Sequence, residues 1–201
     1  MKGMKGKKER FMTLLMSTER DGIIRTLDML ERVGFFTAPA SSKFHLNYAG
    51  GLLEHSLNVC NIALDLREIV IKRNPALEER LPVDSVLIAS LLHDVCKADI
   101  YKPTTRKQKN EKGEWVEVPS YDVDHGQYPF GHGEKSVILL LQTGLKLTND
   151  EALAIRWHMQ AWDLPFQSAD IKGNFNKARE NCPLVQLLIS ADGLASQLEG
   201  M

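Results

Sequence analysis

The chain has 201 residues, of which 43% are hydrophobic and 25% charged, and its net charge is −1. That length can bury a substantial core in one domain, and the balance is that of an ordinary globular protein. A charge near zero supplies no field to recruit a membrane surface or a long nucleic-acid track.

No apolar run approaches the roughly 20 residues of a membrane span. Phe11–Met16 is too short, and too soon followed by Glu19, Arg20 and Asp21, for a secretory signal. A cytoplasmic location is expected, and oligomerisation is left open. Cys60, Cys96 and Cys182 are far apart and form no Cys-x-x-Cys pair, so they are expected to be reduced and partly buried.

In chain order, the patterning predicts helices over 8–17 and 20–33, the second ending at Gly34, and then a loop over 35–49. A long helix is expected from Gly51 to about Lys72, stopped by Asn74 and Pro75. Leu53, Leu57, Cys60 and Leu64 form one stripe on it, and Val59, Ala63, Leu66 and Val70 a second, which makes it central. A core helix follows over about 83–97, apolar nearly all round, with His93 and Asp94 in its last full turn.

Residues 101–121 favour a small β-hairpin turning at Asn110-Glu111-Lys112-Gly113. Its Lys102, Arg106, Lys107, Lys109 and Lys112 are read as solvated, edge-protecting charges. A loop over 122–131 holds His125, and helices resume at about 132–143 and 149–161. The second of these opens with the capping box Thr148…Glu151. Residues 163–181 are mixed and polar, and a final helix begins at Pro183. Trp115, Trp157 and Trp162 are read as core packing or hairpin support. The fold class is therefore all-α, a single domain over 1–201 with one hairpin inserted at about 101–121.

The chemistry concentrates in six residues: His55, His93, Asp94, His132, His158 and Asp192. Of only six histidines, four fall in this ordered series. Imidazoles and carboxylates are ligands for divalent metals. His93 and Asp94 are about 100° apart around a helix axis, so they reach one pocket if it lies over their shared edge. A carboxylate at Asp192, within Leu187-Leu188-Ile189-Ser190-Ala191, is costly unless paired or metal-bound. His55, His93, Asp94 and Asp192 make one plausible ion site. His132 and His158, with Asp94 as a bridge, make a second.

Gly-Gly-Leu-Leu-Glu-His55, then Leu-Leu-His93-Asp94-Val-Cys-Lys97, then Ser-Ala-Asp192 resembles the HD-domain superfamily over residues 50–195. His-Asp alone is a weak motif; the glycine-led His55 segment upstream of His93-Asp94-x-x-Lys97 is a specific one. Gly-His132-Gly-Glu-Lys-Ser and Trp-His158 resemble its six-ligand, dinuclear branch. The chain departs from the HD-GYP proteins of that branch, lacking Gly-Tyr-Pro and carrying one histidine where they have a pair.

The resemblance implies an HD-type helical bundle over 50–195, preceded by N-terminal helices and a loop over 1–49. It implies a phosphohydrolase with two divalent ions (Fe, Mn, Co, Ni, Zn or Mg) acting on a small phosphorylated, nucleotide-like substrate. Asp94 and Lys97 carry the catalytic expectation. Lys97 corresponds to a lysine that contacts substrate phosphate, and Lys135 and Arg156 are further substrate-binding candidates. An HD-type di-iron oxygenase and a non-catalytic nucleotide-binding protein are the alternatives.

Overall fold

The computed structural model describes residues 2–124, 129–160 and 169–200. Among the described residues the chain is mostly helical, with one antiparallel hairpin. Helix α1 (Lys2–Met16) and helix α2 (Ile23–Arg32) lead into a short 3-10 turn at Phe35–Thr37. Phe11, Phe35 and Phe36 pack their rings together beneath these elements, with centroids 5.2 to 5.6 Å apart. Helix α1 starts well before residue 8, because the lysine-rich segment continues the helix in solvent. Helix α2 starts only at Ile23, after a left-handed Gly22.

Helix α3 (Gly51–Arg73) is the central element. In its first half Leu52, Leu53, His55, Ser56, Leu57, Val59 and Cys60 are all buried, which is burial on more than one side. Leu64, Leu66 and Val70 are only partly covered, so the two apolar stripes fade toward the C-terminus. Gly51 is fixed by close approach: a Cβ there would fall 2.0 Å from the Leu46 carbonyl oxygen. The preceding loop therefore presses onto the first turn of α3.

Helix α4 (Val83–Leu92) is buried without a break from Ser85 to Leu92. It stops at Leu92 rather than continuing to 97. Bonds from Val95 to Leu92, Lys97 to Asp94 and Ala98 to Val95 are all of the i→i−3 kind, at 3.3, 2.9 and 3.3 Å. His93 and Asp94 thus lie in a tightened turn that joins α4 to the short helix α5 (Lys97–Ile100). At three residues per turn, side chains three apart eclipse, which sets Lys97 directly over Asp94.

Strands β1 (Tyr101–Lys109) and β2 (Trp115–Val123) pair from Tyr101↔Val123 to Lys109↔Trp115. Asn110 Oδ1 accepts from the backbone of Lys112 and Glu114, at 3.0 Å each, and closes the turn. The hairpin projects from the helical body, its basic side chains solvated and Trp115 67% exposed beneath the Lys109 ammonium.

Helix α6 (His132–Gln142) and helix α7 (Asn149–Trp157) follow. The capping box of α7 is complete, with Thr148 Oγ1 accepting from Glu151 N and Glu151 Oε2 from Thr148 N. Helix α7 ends at Trp157, short of 161. Helix α8 (Ala169–Asn181) occupies much of the segment read as mixed and polar. Ala178 is its one buried residue, so no apolar stripe announces it. Helix α9 (Pro183–Glu199) closes the fold with Pro183 in its first turn and packs extensively on α3. Among the described residues no helix is long and apolar enough to cross a membrane. All three cysteines are free and buried. His125 and Trp162 lie outside the described residues.

Candidate metal centre

Five elements of the fold deliver the six residues to one place. His55 comes from the second turn of α3, and His93 and Asp94 from the turn after α4. His132 is the first residue of α6, His158 follows α7, and Asp192 sits midway along α9. Four overlapping trios mark the spot: His55–His93–Asp94, His93–His158–Asp192, Asp94–His132–His158 and His45–His55–Glu199. Within each trio, one ligand atom per residue lies within 4.8 Å of the others.

Asp94 is the hub. Its Oδ2 lies 3.2 Å from His93 Nε2 and 3.5 Å from His55 Nε2. Its Oδ1 lies 2.6 Å from His132 Nε2 and 3.4 Å from His158 Nε2. One carboxylate thus divides four imidazoles into two pairs, an oxygen to each. Asp192 Oδ1 completes the first group, 3.2 Å from His55 Nε2 and 3.9 Å from His93 Nε2.

Three of the imidazoles are oriented through their Nδ1 atoms. His93 Nδ1 donates to the Ser90 carbonyl at 2.8 Å, and His158 Nδ1 to the Ile155 carbonyl at 2.7 Å. His55 Nδ1 donates to Glu199 Oε2 at 2.9 Å. A proton fixed on Nδ1 leaves the lone pair of each neutral ring on Nε2. Those three Nε2 atoms are buried and have no hydrogen-bond partner. Three solvent-excluded nitrogens that face two carboxylates without a hydrogen-bond partner could hold a cation, since buried polar atoms otherwise find partners. His132 differs: its Nδ1 lies 3.4 Å from Cys96 Sγ.

Charges of both signs meet in the site. Burial opposes charge on His55, but Asp192, Asp94 and Glu199 outweigh it and raise its pKa to about 10, so by itself the ring takes a second proton, on Nε2, which a cation bound there would displace. Burial opposes charge on His158 too, and Asp94 reverses the balance upward. On His132 burial wins and the pKa falls. Asp94 and Asp192 are pushed below the usual carboxylate range despite burial, Asp94 chiefly by Lys97 and His93, Asp192 chiefly by His55. Burial lifts the Cys96 thiol to about 12, so it is a protonated neighbour and no thiolate. This donor set, imidazole and carboxylate without thiolate, suits a borderline divalent ion.

Two glycines shape the pocket. Gly51 lets the loop before α3 lay His45 over His55, with ring centroids 5.1 Å apart. Gly133 lets α6 press against α7: a Cβ there would fall 2.2 Å from the Arg156 carbonyl oxygen and 2.7 Å from that of Ile155. The Ile155 carbonyl is the one that orients His158, so His132 and His158 are brought together by the same contact.

The remaining candidates fall in different places. Lys97 Nζ lies 2.6 Å from Asp94 Oδ2 and is buried. Lys135 is also buried, 2.5 Å from Asp99 Oδ2, and lines a cavity of about 430 Å³ with Ile100, Phe130 and His132. Arg156 is half-buried, bonds Glu134 at 2.7 Å and stacks on the Trp157 ring at 4.2 Å. Glu199 and His45 were missed by the sequence reading. Glu199 is a charged residue near the end of a helix, and His45 sits in a stretch with no periodicity, so neither carried a signal.

The family model of the HD domain matches residues 52–197, and the chain belongs to that family. HD domains bind divalent metals, in keeping with the clusters found here. The chain is also similar to a dihydroneopterin 2',3'-cyclic phosphate phosphodiesterase of Methanocaldococcus jannaschii, 33% identical over 92 residues. That match covers 44% of this chain and 32% of the relative, so the chain spans about a third of the curated relative's length. No solved structure matches.

Proposed function

We propose that the chain is a metal-dependent phosphohydrolase that cleaves a phosphoester of a small, nucleotide-like substrate at a two-ion centre. The observation that carries this reading is the division of Asp94: Oδ2 toward His55 and His93, Oδ1 toward His132 and His158. A carboxylate that serves two sets of imidazoles suits a bridging ligand. His55, His93, Asp94 and Asp192 would hold one ion, and Asp94, His132 and His158 the other. When bound, such ions supply Lewis acidity and lower the pKa of water to near neutrality. The relative that hydrolyses a cyclic phosphodiester supports the same bond class.

The protein's own groups supply the rest. Burial of His55, His93, Asp94 and His158 keeps bulk water away and strengthens every charge interaction there. The Lys97 ammonium is fixed by Asp94 at the edge of the cluster, where it can hold a phosphoryl oxygen and offset charge that develops in the transition state. Its compact charge suits a phosphate oxygen without demanding bidentate geometry. The cavity beside His132, with Ile100 and Phe130 as apolar walls and the Lys135–Asp99 pair as a polar one, suits the organic part of the substrate.

The test is a hydrolysis screen with the metal-reconstituted protein. Nucleoside 2',3'-cyclic phosphates, nucleotides and dinucleoside polyphosphates would each be offered with Mn, Fe, Co, Ni, Zn and Mg. Phosphoester cleavage that Asp94→Ala abolishes is the expected result. Dioxygen uptake coupled to substrate loss, with no phosphate chemistry, would overturn it.

A further inference from the structure

We propose that Glu199 is a positioning residue of the metal centre, setting the orientation of His55 and thereby the affinity of one ion of the pair. This rests on the two-ion reading above.

Asp192 and Glu199 are seven residues apart on α9, which is about two turns and places them on one face. Both reach the same ring of α3. Asp192 Oδ1 stands 3.2 Å from His55 Nε2, and Glu199 Oε2 stands 2.9 Å from His55 Nδ1. One helix therefore brackets both nitrogens of a single imidazole.

Glu199 is itself held. Its other oxygen accepts from Asn58 Nδ2 at 2.8 Å, and its side chain is 6% exposed. Asn58 lies one turn beyond His55, so both oxygens of Glu199 are engaged by α3. His45 Nε2 approaches the same carboxylate at 4.0 Å and closes that side.

His55 differs from His93 and His158 in one respect. His93 and His158 give their Nδ1 protons to backbone carbonyls, which no substitution of an acceptor side chain removes. The Nδ1 acceptor of His55 is a side-chain carboxylate. A carboxylate behind an imidazole fixes its tautomer and raises its basicity toward a cation. Glu199 lies beyond residues 52–197, outside the stretch the family model matches.

The experiment uses the full chain stripped of metal and titrated with Co(II). Visible absorption and cobalt content after desalting are the readouts, and the unfolding of the stripped protein is recorded in parallel. The wild-type chain is expected to take up two ions. Glu199→Ala is expected to weaken one of them by roughly 10–100-fold, shift the cobalt spectrum and leave the other ion unchanged. Glu199→Gln keeps an acceptor for Nδ1–H and is expected to fall between the two, with stripped-protein unfolding like wild type.

Two ions bound by Glu199→Ala with wild-type affinity and spectrum would overturn the proposal. Should that variant fail to fold, Glu199→Gln decides: a weakened ion supports the role, and wild-type binding overturns it. A wild-type chain that binds no cobalt defeats the metal reading itself. A single bound ion defeats only the count, and its weakening in the Glu199 variants would still support the role.

Discussion

Asp94 concentrates the consequences of burial in one side chain. It is 1% exposed, carries a negative charge, and faces four imidazoles and an ammonium. Lys97 is the cation nearest to it, and removing that charge separates binding of metal from chemistry. Lys97→Ala is expected to lower kcat by about 10²–10³-fold with metal content retained, as for loss of one preorganised electrostatic contact. Steady-state kinetics beside metal analysis checks this, and unchanged kcat would remove Lys97 from the mechanism. His55, His93, Asp94 and Asp192 were legible because polar groups stood inside apolar segments, where an unpaired polar group is expensive, whereas His132, set between Gly131 and Gly133, and His158 were legible through the ordered series and the resemblance. Glu199 and His45 were not legible, since a hydrogen-bond partner need share no spacing with the group it serves. His93 and Asp94 were singled out in the sequence but placed on a continuous helix, whereas α4 ends at Leu92. The apolar run Leu91, Leu92, Val95 reads the same whether bonds run to i−4 or i−3.

Helix-to-helix contacts hold this arrangement in register, and two of them can be broken selectively. Gly133 is where α6 meets the last turn of α7. Gly133→Ala forces a methyl into the Arg156 and Ile155 carbonyls, so the helices must separate. Metal uptake is expected to fall more than helix content, because His132 and His158 part while each helix persists. Cobalt binding beside far-ultraviolet circular dichroism distinguishes the two. The second contact is Arg20, whose guanidinium makes paired bonds of 2.7 and 2.8 Å to the buried Glu151. Ser85 Oγ donates to the same carboxylate at 2.7 Å, so the α1–α2 connection, α4 and α7 are tied at one point. Arg20→Ala strands that charge and is expected to cost about 3–5 kcal/mol, read by denaturant unfolding. Helices with apolar stripes and caps were legible element by element, and so was the hairpin, through its turn residues. Helix α8 was not, because it covers little core and carries Gly173 in its middle.

Taken as a whole, the molecule gathers charged and polar groups from distant segments into a mostly buried cluster. Ions that bind only the folded state stabilise it by mass action, about 2.7 kcal/mol when free metal stands a hundredfold above its dissociation constant. Chelation is therefore expected to lower the thermal midpoint, and re-addition of metal to restore it. An unchanged midpoint in differential scanning calorimetry would count against a bound ion. The hairpin gives this architecture a further property. Its solvated turn at Asn110–Gly113 falls between Asp94 and His132 in the chain. Scission after Lys112 would leave His55, His93 and Asp94 on one fragment and His132, His158 and Asp192 on the other. Each half would hold three of the six groups, and α3 against α9 and α4 against α7 would still join them. A trypsin-nicked protein should then travel as one species on a sizing column and come apart more readily once its cations are sequestered.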